Sequence, residues 1–492
     1  MHHHHHHGGS GAIRTLASVS ALALSVVSGA SAAVINVPGD IASLSVAVAV
    51  AADGDEIVIA ASGAPYLVFP GLQVTNKTLT IRGATGNPAD VVIDGAGLDI
   101  VLRIAGSGSD GTVLEGITLQ NGRGATATNS SGAGVFINDA NVTIRDCVIR
   151  NNVIPGADGN GAGIYATVSN VEIQRCVIEG NSIDSASGDG VGAYFNGGLQ
   201  RITDTIFRDN RISTSGDLDL SAVGGGMYAD VGSMLLTRCL FEGNRTGFGG
   251  GVAVIGNMQS VTIDECEFVD NEARNGGGFG ANSTAGPLVP RIRNSLFVGN
   301  MALNDSAIFT DKGGFFTNLT MAGNISSGSY VVGGSSPTGT TVLDNSIIWG
   351  NTYNQANGPI PTTTPDVVRW CILQDPYTGA VGSLANQVID PMFVDASNRD
   401  FRLMPMSPAI DAGDTNLYFG PFADLDGAPR VVDVPAVADT GFTLSGPVID
   451  IGAYEFQVEG PTDTCPTDAN GDGVINFADL NAVLSVFGTD CD

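Results

Sequence analysis

The chain has 492 residues, a formal charge of −29 from 50 acidic against 21 basic side chains, and six histidines that all lie in a leading MHHHHHHGGSG tag. With no native histidine there is no Ser-His-Asp triad, no Cys-His pair and no HExxH zinc site, and the negative field repels nucleic acid, anionic lipid and polyuronate alike unless a divalent cation bridges them. Glycine, at 68 residues, is about twice its usual share, while lysine occurs only as Lys77 and Lys312, a composition that suits an exported β-rich repeat protein better than a cytosolic enzyme.

Residues 1–11 are the tag. Residues 12–32 read as a secretory signal peptide: Arg14, then LASVSALALSVV, then small residues ending at Ala30, Ser31 and Ala32. The apolar run is shorter than a bilayer span requires, so cleavage near Ala32 is expected to leave a secreted or cell-surface protein with no membrane span.

From 56 to 375 the chain repeats. The segments VTIRDCVIRNN, VEIQRCVIEGN, QRITDTIFRDN, MLLTRCLFEGN, VTIDECEFVDN, PRIRNSLFVGN, GFFTNLTMAGN and TVLDNSIIWGN close on Asn152, Asn181, Asn210, Asn244, Asn271, Asn300, Asn324 and Asn351, spaced 24 to 34 residues apart. A period of that size with strand-like alternation defines a solenoid. A glycine-rich strand precedes each of the first six (GAGVFI, GAGIYA, GVGAYF, GGGMYA, GGGVAV, GGGFGA), giving three strands per turn, the plan of a parallel β-helix.

Within each repeat the corner before the third strand is Asp146, Arg175, Asp204, Arg238, Glu265, Asn294, Asn318 or Asn345. Asn and Asp tolerate the left-handed conformation of a tight corner, the last three are placed to form an amide ladder, and the two arginines depart from the preference. The next column, Cys147, Cys176, Thr205, Cys239, Cys266, Ser295, Leu319 and Ser346, with Cys371 in a ninth coil, reads as a stack of small inward residues. A disulfide between adjacent coils and a metal site are the alternatives, the second lacking CxxC spacing.

These paired GGG-aliphatic-Tyr and FxxN elements resemble the repeats of polymorphic outer-membrane proteins and other right-handed parallel β-helix surface proteins. INVPGDIASLSVAVAVAADGDEIVIAASGAPYLV resembles the amino-terminal cap of pectin-lyase-like folds. That resemblance implies a helical cap over 33–55 in which Asp40 caps a short apolar helix plugging the open end, with the first strand at 56–60. DPMFVDASNRDFRLMPMSPAIDAGD, DLDGAPR and VIDIGAYEF, within 376–458, resemble the closing segment of secreted bacterial β-helix proteins and imply fold completion. Asp411, Asp414, Asp424 and Asp426 are read there as turn formers ahead of ligands.

After a polar linker at 459–464, residues 465–492 read as a small α-helical module. DANGDGVINFAD places Asp468, Asn470, Asp472, the Val474 carbonyl, Asn476 and Asp479 at loop positions 1, 3, 5, 7, 9 and 12 of an EF-hand, so Ca2+ is the expected cofactor. Aspartate at the last position departs from the EF-hand and resembles dockerins, whose helices grip a cohesin. Dockerins normally carry two such loops and this chain has one, so the implied role is a dockerin-like anchoring tail with a cohesin-like partner in question. Leu480, Val483, Leu484 and Phe487 form one face of the following helix. Cys465 and Cys491 bracket the module and are expected to form a disulfide.

The outward positions of the first strand are Phe136, Tyr165, Tyr194 and Tyr228, then Ala253 and Gly280. A stack of aromatics is either a platform for sugar rings or a ladder that stabilises neighbouring coils. In the third strand Val148, Val177, Ile206, Leu240, Glu267, Leu296, Thr320 and Ile347 form an aliphatic stripe that faces outward as a partner interface or, with the frame shifted, inward. Candidate acids Asp158, Asp184, Asp189, Asp217 and Asp219 sit in Gly/Ser-rich loops with no catalytic motif around them. The functional expectation is therefore a non-catalytic surface protein that binds a polysaccharide or a surface protein. The competing expectation is a polysaccharide lyase or glycoside hydrolase.

Overall fold

A computed structural model describes residues 32–457 except 125–130, 157–158, 214–220, 283–288, 329, 335–338, 355–357, 362–365 and 378–383. The tag, the signal peptide but for Ala32, the linker, the calcium loop and the Cys465–Cys491 pair lie outside the described residues, as do Asp158, Asp217 and Asp219.

Among the described residues thirty-one strands join in a continuous parallel winding, a β-helix whose three long faces are the first, second and third sheets. Each strand pairs with its equivalent one coil on: Val135 with Ile164 and Ile164 with Ala193 in the first sheet, Val142 with Val171 in the second, Val148 with Val177 and Val177 with Ile206 in the third. Alternation decides which side chains enter. Ile137, Ile144, Ile149, Ile173 and Ile178 are fully buried in one core running the length of the solenoid, and Met234 and Leu236 fill the coil closed by Asn244. A fourth, short ladder that the repeat pattern did not announce follows the closing asparagines, joining Val153–Ile154, Ser182–Ile183 and Arg211–Ile212, and buries Ile154, Ile183 and Ile212 in a satellite cluster.

The corner residues all adopt positive φ, from 46° at Asn294 to 54° at Asp146, and the exceptions to the Asn/Asp preference are compensated. Arg175 donates to both carboxylate oxygens of Asp146 at 2.7 Å, and Arg238 to those of Asp204 at 2.7 and 3.0 Å. Both pairs are solvent-exposed, so each offsets only part of the left-handed strain.

The expected amide ladder at Asn294, Asn318 and Asn345 does not form. Their side chains turn outward: Asn294 donates to Tyr418 Oη and the Ala423 carbonyl, Asn318 to the Asp450 carbonyl at 3.0 Å, and Asn345 to the Asp414 carbonyl. The ladder lies instead at the closing asparagines. Each Nδ2 from Asn152 to Asn324 donates to the Oδ1 of the next at 2.9–3.0 Å, and these seven donors have no exposed surface. Each Oδ1 also accepts its predecessor's backbone N–H, as Asn244 Oδ1 does from Asn210, so every buried polar atom of the column has a partner. Beside it Phe207, Phe241, Phe268 and Phe297 stack inside the core at 4.5 to 5.1 Å.

The cysteine column is buried and unbridged, with Cys147, Cys176, Cys239, Cys266 and Cys371 all free thiols. Burial pushes the Cys147 and Cys266 thiols well above their ordinary value, which keeps them uncharged and unreactive.

The N-terminal cap contains little helix. An unanticipated strand, Val34–Val37, pairs with Glu56–Ile59 and starts the second sheet one coil earlier than expected. The seven-residue helix Leu44–Val50 follows, with Leu44, Ala47 and Val48 buried against the solenoid core. Its N-cap is Ser43, which accepts from the Val46 N–H, and not Asp40, whose carboxylate accepts from the backbone and side chain of Asn36 at 2.8 Å. Lys77 closes the other end, its Nζ donating to the carbonyls of Val48, Ala49 and Ala51.

At the far end residues 384–387 add a partial coil, with Trp370 N–H donating to the Leu384 carbonyl and Leu373 N–H to that of Gln387. Residues 391–457 then fold back along the outside of the third sheet. The third-strand stripe does face outward: Val148, Val177, Ile206 and Leu240 are half-buried, whereas Leu296, Thr320 and Ile347 are buried beneath this segment. Leu296 packs with Phe401, and Ile347 and Ile372 pack with Leu403, Ile410 and Val434. Part of the expected partner interface is therefore occupied by the chain's own C-terminal segment.

Candidate binding cleft

The first-sheet aromatics stand where alternation puts them. Phe136 and Tyr165 stack at 5.2 Å, and Tyr165–Tyr194 and Tyr194–Tyr228 each at 5.1 Å, while the Arg103 guanidinium lies 3.9 Å from the Phe136 ring centre. Phe136 and Tyr165 are half-buried, and the other two rings are closed off. Tyr194 and Tyr228 are only 8% and 7% exposed, covered with Val223 and Phe248 of the inter-coil loops. Gly280 leaves the space that Phe248 fills, since a Cβ there would come within 2.6 Å of Phe248 Cε1. Burial raises the Tyr194 and Tyr228 hydroxyls, as expected of a supporting ladder shielded from water.

The acids beside this ladder are tied into the fold. Asp189, pushed up to about 6 by burial, accepts the Val223 N–H at 3.0 Å, and Asp230 accepts from Asn196 Nδ2 at 3.3 Å. Asp184 accepts from Ser213 Oγ. No arginine or lysine pairs with Asp184, Asp189 or Asp230 among the described residues. In the closing segment Asp414 and Asp424 are the turn formers expected of them, accepting from Asn416 N–H and Ala428 N–H. DLDGAPR and DIGAYEF are bound through the fully buried Arg430, whose Nε lies 3.8 Å from Glu455 and whose Nη2 donates to the Asp450 carbonyl.

Sequence reasoning missed a cleft of about 360 Å³ on the outer face of the second sheet, lined by Arg291, Arg293, Phe315, Thr317, Asp344, Arg369, Leu417 and Phe419. It exists because outward positions on successive coils align: Arg291 sits opposite Phe315 and Phe315 opposite Val342, while Arg293, Thr317, Asp344 and Arg369 follow in the next outward column. Arg293 is locked to both oxygens of Asp264 at 2.7 and 2.8 Å, and Arg369 to both of Asp344 at 2.7 Å. Arg293 also donates to the Phe419 carbonyl, so the closing segment builds the cleft's far wall. Arg291 has no carboxylate partner among the described residues, and its guanidinium lies 4.7 Å from the centre of the Phe315 ring. Phe419, 81% exposed, opens its ring to solvent. The signal for this cleft was present in PRIRN and DVVRW, but only the coil register shows that these arginines meet.

Three parallel sheets, an inward apolar core and polar ladders at the corners define an all-β parallel solenoid. The right handed beta helix region family model matches residues 133–347, which supports a right-handed winding. Among solved structures, the crystal structure of pectate lyase Pel9A is similar, with a TM-score of 0.41 and 13% identity over 87% of this chain and 98% of that one. No curated protein matches the sequence. Among the described residues no helix is long and apolar enough to cross a membrane.

Proposed function

We propose that the protein is an exported, non-catalytic β-helix that binds an acidic polysaccharide in the Arg291–Phe419 cleft and is tethered through its C-terminal calcium module. The observation that carries this reading is Arg291. Against the repulsion that a chain of charge −29 exerts on a polyanion, a guanidinium with no carboxylate partner among the described residues, held against the Phe315 ring beside an exposed Phe419, offers a local donor fork for a sugar carboxylate. Arg293 and Arg369 neutralise Asp264 and Asp344, so neither carboxylate is left free to repel an anionic ligand. A lyase or hydrolase is the competing reading, and the cleft offers it no unpaired carboxylate: Asp344 is engaged by Arg369.

The tail reading rests on the oxygen ligands from Asp468 to Asp479. Calcium is expected to order residues 465–491, and Asp468→Ala with Asp479→Ala to prevent that. A panel of acidic and neutral polysaccharides, assayed for binding and for new reducing or unsaturated ends, tests the main proposal. Binding of acidic members without product supports it. Cleavage of any member, or equal binding of neutral ones, overturns it.

A further inference from the structure

We propose that Asp411, Asp433 and Asp439 form a calcium site that staples the strap 433–441 onto the body of the closing segment. Among the described residues this is where three carboxylates converge, each bringing an oxygen within 4.8 Å of the other two. Proximity of acids alone means little on so acidic a chain, and Asp411 supplies the second observation. It has no exposed surface, its Oδ2 accepts the Val434 N–H at 3.3 Å, and its Oδ1 has no hydrogen-bond partner. A buried carboxylate oxygen left without a partner is costly and calls for one.

Arginine does not fill that role. The buried Arg430 turns to Glu455 and to the carbonyls of Asp450 and Gly452. The three carboxylates instead repel one another: burial first, then Asp439 and Asp433, push the Asp411 carboxyl up to about 6. A cation at their centre reverses both effects. All donors are hard oxygens, and oxygens within 4.8 Å of one another fit on the surface of a sphere of the ~2.4 Å radius that calcium requires. Asp433 and Asp439 are exposed, so water completes the shell from the open side, an arrangement that suits calcium better than the strict octahedron of magnesium.

The structural consequence is local. Val434 is buried over Ile347 and Ile372, with Val437 packed at the edge of the same cluster, so an ion held by Asp433 and Asp439 clamps these valines onto the outward face of the third sheet. The site shares no residue with the cleft or with the expected calcium loop at 468–479.

The test uses the full chain carrying Asp468→Ala and Asp479→Ala, which silences the C-terminal loop. In this background calcium chloride at about 10 mM, well above the weak affinities of extracellular sites, is expected to raise the melting temperature relative to EDTA and to slow proteolysis within 433–441. Magnesium is expected to do so less. Adding Asp433→Asn and Asp439→Asn, both at exposed positions and therefore compatible with folding, is expected to abolish the calcium response, and Asp411→Asn to weaken it. A background protein indifferent to calcium, or a response that survives Asp433→Asn with Asp439→Asn, overturns the proposal.

Discussion

Replacing Asn210 by leucine tests what holds the coils in register. Asn210 Oδ1 accepts both the backbone N–H of Asn181 at 3.2 Å and its Nδ2 at 2.9 Å, while Asn210 Nδ2 donates to Asn244 Oδ1 at 3.0 Å and to the Ile178 carbonyl at 2.9 Å. Leucine has the same branched shape, is bulkier, and can neither accept nor donate, so some overpacking adds to the lost hydrogen bonds. Two buried N–H groups of Asn181 lose an acceptor, and at about 1–3 kcal/mol per orphaned group the expected loss is about 2–6 kcal/mol. Because stability in a solenoid is approximately a sum of coil and interface terms, a break in the middle is not compensated by neighbouring coils. Urea unfolding followed by circular dichroism measures it, with Asn210→Asp as a second variant that keeps the acceptors and removes the donor. A Leu variant within ~0.5 kcal/mol of the parent, the range of an ordinary surface change, would refute the reasoning.

Other consequences are read from unfolding, binding and hydrogen exchange. Tyr228→Ala is expected to cost about 3–5 kcal/mol, as for other large buried aromatics, while leaving polysaccharide binding intact; lost binding in a folded variant contradicts a covered ladder. Lys77→Met removes the donor to three helix carbonyls and is expected to cost about 1–2 kcal/mol, read as earlier hydrogen exchange in residues 44–51. Burial pushes Asp305 up to about 7, Asp189 and Asp411 to about 6, and Asp450 in the same direction. Each then binds a proton more tightly folded than unfolded, so its stabilisation is complete below the unfolded value near 4 and is lost as pH rises through the folded value. In calcium-free buffer the urea midpoint is expected to be higher at about pH 5 than at about pH 8, with a smaller difference in Asp305→Asn; a midpoint that rises over that range contradicts the assignment. Carboxylates lowered by partners, such as Asp146 and Asp400, titrate below this window.

The solenoid was legible because its period is local: each coil writes its own glycine strand, corner and closing asparagine. Alternation also placed Tyr165, Tyr194 and Tyr228 on the outer face. It left open whether anything lay over them, because Val223 and Phe248 belong to loops of variable length whose path no periodicity fixes. Asn294, Asn318 and Asn345 looked like a ladder in one dimension, yet they bind residues 414–452, a contact across 69 to 134 positions. The cleft was hidden for the same reason. Arg291 and Phe419 are brought together by the fold-back of the closing segment, which has no repeat and so no pattern to read.

Arg291 is proposed to give an acidic protein its site for an acidic glycan. Titrating polygalacturonate and a neutral polysaccharide in EDTA into the parent and into Arg291→Ala tests it most directly. A hydrogen bond to a charged group is worth about 1.5–3 kcal/mol, so affinity for the acidic polymer is expected to fall roughly 10- to 150-fold in the variant, with weak neutral binding unchanged. Equal affinity of parent and variant for polygalacturonate would rule Arg291 out as the carboxylate donor.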